Sequence, residues 1–228
     1  MRNARRENLI RVFVIILIIA IIVIVSIYSH NRKGNYNSPG RDTISLFNGK
    51  DLANWHVFLA SDTVNPAGTF FVKDGTLMSS GDPKGYIRTT EPYSNYQLLV
   101  EWRWPEEPGN SGVFLHIKKD SIWPVCLECQ LKSGNAGDFV AFPGFTFSEQ
   151  TDKEKKSVPK IEDTSEKLAG EWNLYDIRVR DDSITVYVNG ILQNIASHTT
   201  ARSGFIALQS EGSPVQFRNI RIVKLEDQ

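Results

Sequence analysis

Short segments of alternating apolar and polar residues restrict most of this chain to a β-rich fold. Alternation has the period of a β-strand, because successive side chains of a strand point to opposite faces. Asn189-Gly190 joins two such segments and is typical of a type I′ hairpin, and Asp181-Asp182 is another turn signal. Helical periods are scarce in the same region, so we predict an all-β sandwich or jelly roll. The clearest predicted strands are Tyr96–Trp104, Gly112–Ile117, Val125–Leu131, Leu174–Arg180, Ser183–Val188, Gly204–Gln209 and Val215–Lys224.

The first 30 residues differ from the rest. An apolar run from Val12 to Val25 continues through Tyr28 and follows four arginines in the first eleven residues. At about 1.5 Å per residue, about 17 residues span about 25 Å, slightly less than a bilayer core, and Leu9 and Ile10 can extend the run. A cleaved signal peptide is the alternative, although no Ala-x-Ala-like site follows.

We therefore predict a basic tail and transmembrane helix in residues 1–30, a linker in residues 31–41 and one β-sandwich domain in residues 42–228. The arginines before the run favour a cytoplasmic N-terminus, so a single-pass membrane protein would hold the domain in the periplasm or outside the cell. The formal net charge of the chain is +0 at pH 7 and no basic stripe is visible, which argues against a nucleic-acid partner. The charged segment 148–167 is predicted to be a solvated, mobile excursion.

The segment 123–139 carries a polar face suited to binding a sugar. With strand periodicity, one face holds Val125, Leu127, Cys129 and Leu131, and the other holds Cys126, Glu128, Gln130 and Lys132. The first set is apolar and is expected to face the core. The second set aligns a carboxylate, a carboxamide and an amine near a turn. These groups could hold a polyhydroxylated ligand, or they could form the solvated face of a half-buried strand.

The two cysteines, Cys126 and Cys129, are interpreted as structural. Residues three apart on a strand point to opposite faces, so a disulfide between them is geometrically poor. Redox pairs usually start a helix, and a zinc site needs further ligands that no second CxxC supplies. We expect one thiol in the core and one at the surface. No cofactor is evident, and a divalent-ion site of carboxylate, histidine and water ligands stays an open alternative.

A series of short motifs runs in order from about Ile44 to Leu225. The motifs are Ser45–Leu52 with Trp55, Gly109–His116, Glu128–Gln130, Gly170–Asn173, Val188–Gly190, Gly204–Ser210 and Phe217–Ile220. Together they resemble the 3-keto-disaccharide hydrolase domain family. The resemblance implies a concanavalin A-like jelly roll of two antiparallel sheets with a sugar site on the concave sheet. It also implies a glycoside hydrolase-like enzyme whose substrate is an oligosaccharide or 3-keto-glycoside.

Seven residues are candidates for such a site. Glu128 is the predicted catalytic carboxylate, and His116, predicted on the strand face opposite Ile117, is a candidate acid or base. The candidate substrate-binding residues are Gln130, Asn110, Asp138, Gln209 and Trp123. Each has a structural alternative: the turn residues could only close turns, the histidine could be a satisfied sheet residue, and the tryptophan could be core, like Trp102 and Trp104.

The number of acids on the candidate strand decides which mechanism we predict. Ordinary glycosidases use two carboxylates, and laminarinase-like enzymes of this fold carry them on one strand. Here the strand at 128–133 holds one acid, Glu128. In a 3-keto sugar the ketone acidifies the C2 proton, so one base can start an elimination, and water addition completes a net hydrolysis. Non-catalytic carbohydrate binding and adhesion from the membrane are the alternatives.

Overall fold

Two antiparallel sheets form the part of the chain that the structure describes, residues 42–61 and 63–226 of a computed structural model. The predicted tail, transmembrane helix and linker in residues 1–41 lie outside these residues. The helix α1 (Pro66–Thr69) is a single turn that begins after the N-cap Asn65. Within the described ranges, no helix is both long enough and apolar enough to cross a membrane.

The strands connect in a non-sequential order that builds each sheet from distant parts of the chain. In chain order they are β1 (Thr43–Ser45), β2 (Trp55–Leu59), β3 (Phe70–Lys73), β4 (Thr76–Ser79), β5 (Gly85–Thr89), β6 (Tyr96–Arg103), β7 (Gly112–Ile117), β8 (Leu127–Gln130), β9 (Phe139–Ala141), β10 (Ser157–Val158), β11 (Asn173–Arg180), β12 (Ser183–Val188), β13 (Ile191–Ala196), β14 (Phe205–Ser210) and β15 (Val215–Lys224). The first sheet has the order β13-β12-β11-β6-β15-β4-β3, with β1 beside β15, and the second has the order β10-β9-β8-β7-β14-β5-β2.

The alternating residues fill a core between the two sheets. Leu98 and Trp102 of β6 in the first sheet join Leu127 and Cys129 of β8 in the second in one buried apolar cluster. Trp102 also packs edge to face on Trp104, with ring centroids 5.8 Å apart, inside this cluster. Both tryptophans are therefore core residues and do not contact a ligand at the surface. Burial of such rings is the main source of stability in a sandwich.

The hairpin between β12 and β13 confirms the turn predicted from Asn189-Gly190. Asn189 has φ 51° and Gly190 has φ 84°, which is the pair of positive values that a type I′ turn requires. The turn fixes the register in which Val188 pairs with Ile191. Local sequence thus determined the pairing at this edge of the first sheet.

A second apolar cluster covers the outer face of the second sheet and corrects two predictions. Its buried members are Tyr86, Phe114, Ile117, Cys126, Phe142 and Ala207. Cys126 was predicted to be a surface thiol, but the loop that contains it folds over the sheet and buries it. Val125 was predicted to face the core, but β8 begins only at Leu127, and Val125 is 47% exposed. The outer face of this sheet is therefore partly shielded from solvent.

The charged segment 148–167 is more integrated than predicted. Its residues Ser157 and Val158 form β10, which pairs with β9 at the edge of the second sheet. Gln150 is buried, and the backbone N–H of Ile161 donates a hydrogen bond to the carbonyl of Gln193. The prediction of a purely solvated excursion is thus wrong, because backbone pairing holds a segment that has few apolar side chains.

Candidate functional site

A pocket of about 310 Å³ opens on the outer face of the second sheet. It is lined by Trp123, Glu128, Gln130, Val140, Phe142, Pro143, Lys156, Gln209 and Glu211. The carboxylates and amides come from β8 and from β14 with the turn after it, and the apolar side chains come from β9 and two loops. Four of the seven predicted site residues line this pocket. They are Glu128, Gln130, Gln209 and Trp123.

Glu128 is buried beside the pocket because its side chain lies over a residue of β7 that has no side chain. Gly112 lies next to it, and a Cβ on Gly112 would be only 2.2 Å from the Oε1 atom of Glu128. Glu128 is 3% exposed, and its Oε1 has no hydrogen-bond partner among the described residues. Burial, and to a lesser extent the charge of Glu211, raises the pKa of Glu128 to about 8. This carboxyl can therefore give or take a proton near neutral pH.

A second carboxylate, Glu211 in the turn after β14, lines the pocket and was not among the predicted site residues. Its Oε1 accepts a hydrogen bond of 2.6 Å from the Nζ of Lys84. Its Oε2 accepts bonds from the Nδ2 of Asn110 at 3.0 Å and from the Nε2 of Gln209 at 2.8 Å. The spacing of two between Gln209 and Glu211 was the signal available, because residues two apart in an extended chain share a face. The pocket therefore holds two acids, although β8 holds one.

Asn110 and Gln209 fix Glu211 with their amide N–H groups. Asn110, a predicted substrate-binding residue, does not line the pocket but donates to Glu211, which does. The amide oxygens of both residues are buried and have no hydrogen-bond partner in the part of the chain that the structure describes. Such oxygens are costly to leave unpaired and are common where a ligand or an ordered water completes a site.

Gln130 ends β8 with its side-chain oxygen turned to the backbone. This oxygen accepts hydrogen bonds from the N–H groups of Leu131 at 3.0 Å and Lys132 at 2.9 Å. The hydroxyl of Tyr175 donates to the main-chain carbonyl of Gln130 from the core side. Two sets of bonds therefore fix the strand end. The side-chain Nε2 has no hydrogen bond within the described ranges, so its two N–H groups are free to donate to a ligand.

Neither His116 nor Asp138 lines the pocket. His116 has φ 68° in a β-bulge opposite β14, so it does not share the face of Phe114 as predicted, and Ile117 takes that place instead. Its ring is fully buried 6.3 Å from the ring of Phe145, and burial lowers its pKa to about 4. The carboxylate of Asp138 accepts bonds from Asn135 and from the N–H of Lys160, which fits a turn-closing role.

Trp123 and Phe142 form an aromatic wall of the pocket. Trp123 is 56% exposed and stacks on Phe142, with ring centroids 5.8 Å apart and an interplanar angle of 23°. Exposed aromatic faces of this kind pack well against the apolar face of a sugar ring. The pocket therefore has both apolar surface for C–H groups and polar side chains for hydroxyl groups.

A charged network fixes the loop that carries Trp123. Arg88 on β5 donates from Nε and Nη2 to the two carboxylate oxygens of Asp120, each at 2.8 Å. The hydroxyl of Tyr86 donates to Asp120 at 3.0 Å and accepts from the N–H of Ser121 at 3.2 Å. A bidentate pair of this kind sets orientation as well as attraction. The loop is thus tied to the sheet three residues before Trp123.

Metal ligands are not clustered in the described ranges. No group of three or more His, Cys, Asp or Glu side chains there could hold a metal ion. The polar residues of the pocket are two carboxylates, two amides and one lysine. What this set offers directly is proton transfer and hydrogen bonding.

The model of a 3-keto-alpha-glucoside-1,2-lyase-like domain matches residues 42–223 of this sequence. The chain belongs to this family. The match covers the whole of the strand-rich part and confirms the resemblance carried by the motifs between Ile44 and Leu225. Among curated proteins, none matches the chain.

Solved structures similar to this 3-keto-alpha-glucoside-1,2-lyase-like domain confirm its jelly-roll fold. A proposed glycosyl hydrolase from Parabacteroides distasonis is 22% identical, with 81% of this chain and 94% of that chain covered and a TM-score of 0.60. The carbohydrate-binding module CBM66 from Bacillus subtilis is 13% identical, with 74% and 94% covered and a TM-score of 0.52. A β-glucanase from Bacillus licheniformis is 15% identical, with 83% and 100% covered and a TM-score of 0.52.

Proposed function

We propose that this domain cleaves 3-keto-glycosides at the bond between C1 and the glycosidic oxygen, with Glu128 as the proton-transfer group. The observation that carries the proposal is the buried carboxyl of Glu128, whose pKa is raised to about 8, in a pocket with one polar and one aromatic wall. A base is most effective when its pKa is near the working pH. The family description, a 1,2-lyase acting on 3-keto-alpha-glucosides, supports the same chemistry.

The proposed reaction is an elimination through an enolate. Ionised Glu128 takes the C2 proton, and the electrons of the C–H bond form an enolate with the C3 ketone. The enolate then re-forms the ketone, a C1=C2 double bond appears, and the C1–oxygen bond breaks. The leaving oxygen takes up one proton, either from protonated Glu128 or from water. Addition of water across C1=C2 returns the 3-keto sugar, so the sum is hydrolysis.

The other pocket residues have roles that follow from their contacts. The free N–H groups of Gln130 are the donors proposed for the enolate oxygen, since such donors stabilise charge that develops in the transition state. Glu211 forms an ion pair with Lys84, and after burial its charge is the second cause of the raised pKa of Glu128. Trp123 is proposed to hold the apolar face of the sugar ring.

The test is the isosteric variant Glu128→Gln on a 3-keto-α-glucoside, followed by release of the aglycone. We expect kcat to fall about 10²- to 10⁴-fold, which is the usual contribution of a positioned acid or base. Glu107→Gln, an exposed acid between β6 and β7, is the matched control and should leave kcat unchanged. A Glu128→Gln protein that folds and keeps wild-type turnover would show that another group transfers the proton.

Isotope exchange separates elimination from direct displacement. In D₂O, elimination followed by water addition places deuterium at C2 of the product faster than the free 3-keto sugar exchanges its C2 proton, whereas displacement at C1 adds none beyond that exchange. The pH profile gives a second criterion. If ionised Glu128 is the base, kcat/KM should rise with pH and level off above about 8, because only the ionised form accepts a proton. A decline through this pH range would instead make Glu128 an acid.

Non-catalytic carbohydrate binding is the second candidate. The exposed Trp123 ring stacked on Phe142 favours it, because an aromatic platform is sufficient to bind a sugar. Under this alternative, wild-type protein binds glycosides but releases no aglycone from either keto or ordinary forms, and Glu128→Gln leaves the affinity for an ordinary glucoside within about twofold.

A further inference from the structure

A second, smaller depression lies next to the pocket and shares part of its lining. It measures about 20 Å³ and shares three residues with the pocket: Trp123, Gln209 and Glu211. A substrate that spans both would place the bond between its two parts beside Glu211. If the pocket holds the keto sugar, the depression is where the leaving group lies.

We propose that this depression is the leaving-group subsite and that it takes a flat, apolar aglycone such as an aryl ring. The proposal rests on the proposed function for its first part, the keto sugar in the pocket. The choice of an apolar aglycone comes from a separate observation: the polar side chains of the depression already make hydrogen bonds, while its apolar side chains are exposed.

The depression is lined by five polar side chains that each already make at least one hydrogen bond: Lys84, Tyr86, Gln209, Ser210 and Glu211. The Nζ of Lys84 is bonded to Glu211 at 2.6 Å, and the Tyr86 hydroxyl contacts Asp120 and Ser121. The hydroxyl of Ser210 donates to the carbonyl of Pro83 at 3.0 Å. The one unpaired acceptor, the Oε1 atom of Gln209, is enclosed by protein. A second sugar would bring several hydroxyl groups that find few partners here, at a cost for each one desolvated.

The apolar groups, in contrast, are uncovered. Ile122 is 51% exposed and Trp123 is 56% exposed, and both belong to the loop that Asp120 ties to Arg88. Phe114 lines the floor of the depression, beside Tyr86 on the neighbouring part of the sheet. The volume of about 20 Å³ is too small to enclose any ring, so a planar aglycone would lie against the exposed faces of Ile122 and Trp123. Such coverage gives favourable burial without any need for new hydrogen bonds.

The experiment measures selectivity between three 3-keto-α-glucosides that carry a 4-nitrophenyl group, a methyl group or a second glucose. The variant is Ile122→Ser, and the matched control is Ile161→Ser, since Ile161 is 58% exposed and lines neither cavity. For each substrate, kcat/KM of the variant is divided by kcat/KM of the wild type. This division cancels the different leaving abilities of the three aglycones. We expect Ile122→Ser to lower kcat/KM for the aryl substrate about 5- to 20-fold more than for the methyl substrate. Ile161→Ser should leave kcat/KM unchanged for every substrate.

Two results would overturn the subsite. One is an equal change for the aryl and methyl substrates, and the other is a loss for the disaccharide as large as for the aryl substrate, which would make the depression a sugar site. If the wild-type protein turns over none of the three, the proposed function fails instead. Calorimetric binding of ordinary 4-nitrophenyl and methyl α-glucosides then tests the subsite without turnover. Tighter binding of the aryl compound, lost in Ile122→Ser, would support an aryl-binding depression. Equal affinity for the two compounds would reject it.

Discussion

At the scale of single residues, the site depends on the absence of a side chain at position 112. The carboxyl of Glu128 occupies the space that a Cβ on Gly112 would fill, at 2.2 Å from Oε1 and 2.8 Å from Cδ. The glycine is therefore needed for close approach and not for backbone conformation. The proximity also keeps water from one side of the carboxyl, and this burial is the main cause of its raised pKa.

The variant Gly112→Ala tests this arrangement. We expect kcat to fall at least tenfold and the free energy of unfolding to fall by about 1–3 kcal/mol, since an added methyl group must displace a buried side chain. Chemical denaturation and steady-state kinetics measure the two effects. Gly68→Ala is the control, because a Cβ on Gly68 meets nothing within 4 Å. Wild-type kinetics in Gly112→Ala would mean that the position of the Glu128 carboxyl does not matter for turnover.

At the scale of elements, the loop between β7 and β8 joins the aromatic wall to the sheet. The pair between Arg88 and Asp120 is partly shielded, with side-chain exposures of 15% and 22%, and Arg88 also lies over the ring of Phe205 at 4.1 Å. Exposed ion pairs contribute little, but a shielded bidentate pair is costly to break. We infer that this network sets the position of Trp123.

The variant Asp120→Asn removes the bidentate pair while keeping the shape of the side chain. We expect the protein to lose about 1–3 kcal/mol of stability, and KM for a 3-keto-glycoside to rise about 3- to 10-fold because the aromatic wall is no longer fixed. Asp182→Asn is the comparison, because its pair with Arg202 is more exposed and should be worth less than about 1 kcal/mol. An unchanged KM in a destabilised Asp120→Asn protein would limit the network to a structural role.

At the scale of the whole molecule, the buried Glu128 links stability to pH. The pKa of Glu128 is about 8 in the folded state, against 4.5 without burial. Between these values the unfolded chain loses this proton while the folded domain keeps it, so the contribution of Glu128 to stability falls as pH rises through the window. The buried His116, with a pKa lowered to about 4, acts in the opposite sense and destabilises the fold as pH falls below about 6.5.

Comparison of wild type with Glu128→Gln isolates the first effect, because all other titrating groups are shared. At pH 5 the two proteins should have similar free energies of unfolding, since protonated Glu and Gln are close in shape and charge. At pH 8 the variant should be more stable by about 4 kcal/mol, because each tenfold difference in proton affinity between the folded and unfolded states is worth about 1.4 kcal/mol. Urea unfolding at the two pH values measures this difference. A difference that does not vary with pH would contradict the raised pKa.

The sequence predicted the fold better than the site. Alternation and the Asn189-Gly190 turn indicated the sandwich, because both depend on neighbouring residues. Glu128 and Gln130 were found because strand periodicity placed them on one face. The bulge at His116 was not predictable, since one extra residue reverses every later face assignment and leaves no clear local signal.

Contacts between distant segments account for the remaining misses. Glu211 enters the pocket from the turn after β14, and its partner Lys84 lies 127 residues earlier in the chain. Cys126 became buried because its loop folds onto strand residues such as Phe114 and Ala207, which no pattern within 123–139 could show. The second acid of the site, and therefore its share in the raised proton affinity of Glu128, is a product of tertiary structure.

The exposed position of Trp123 makes it an optical reporter for the pocket. The chain has five tryptophans, and Trp123 is the one that is more than half exposed, whereas Trp55, Trp102 and Trp104 are buried and Trp172 is intermediate. A soluble quencher such as iodide should therefore reduce the emission of Trp123 far more than that of the others. A ligand seated against this ring would block the quencher, so occupancy could be followed in real time without any label.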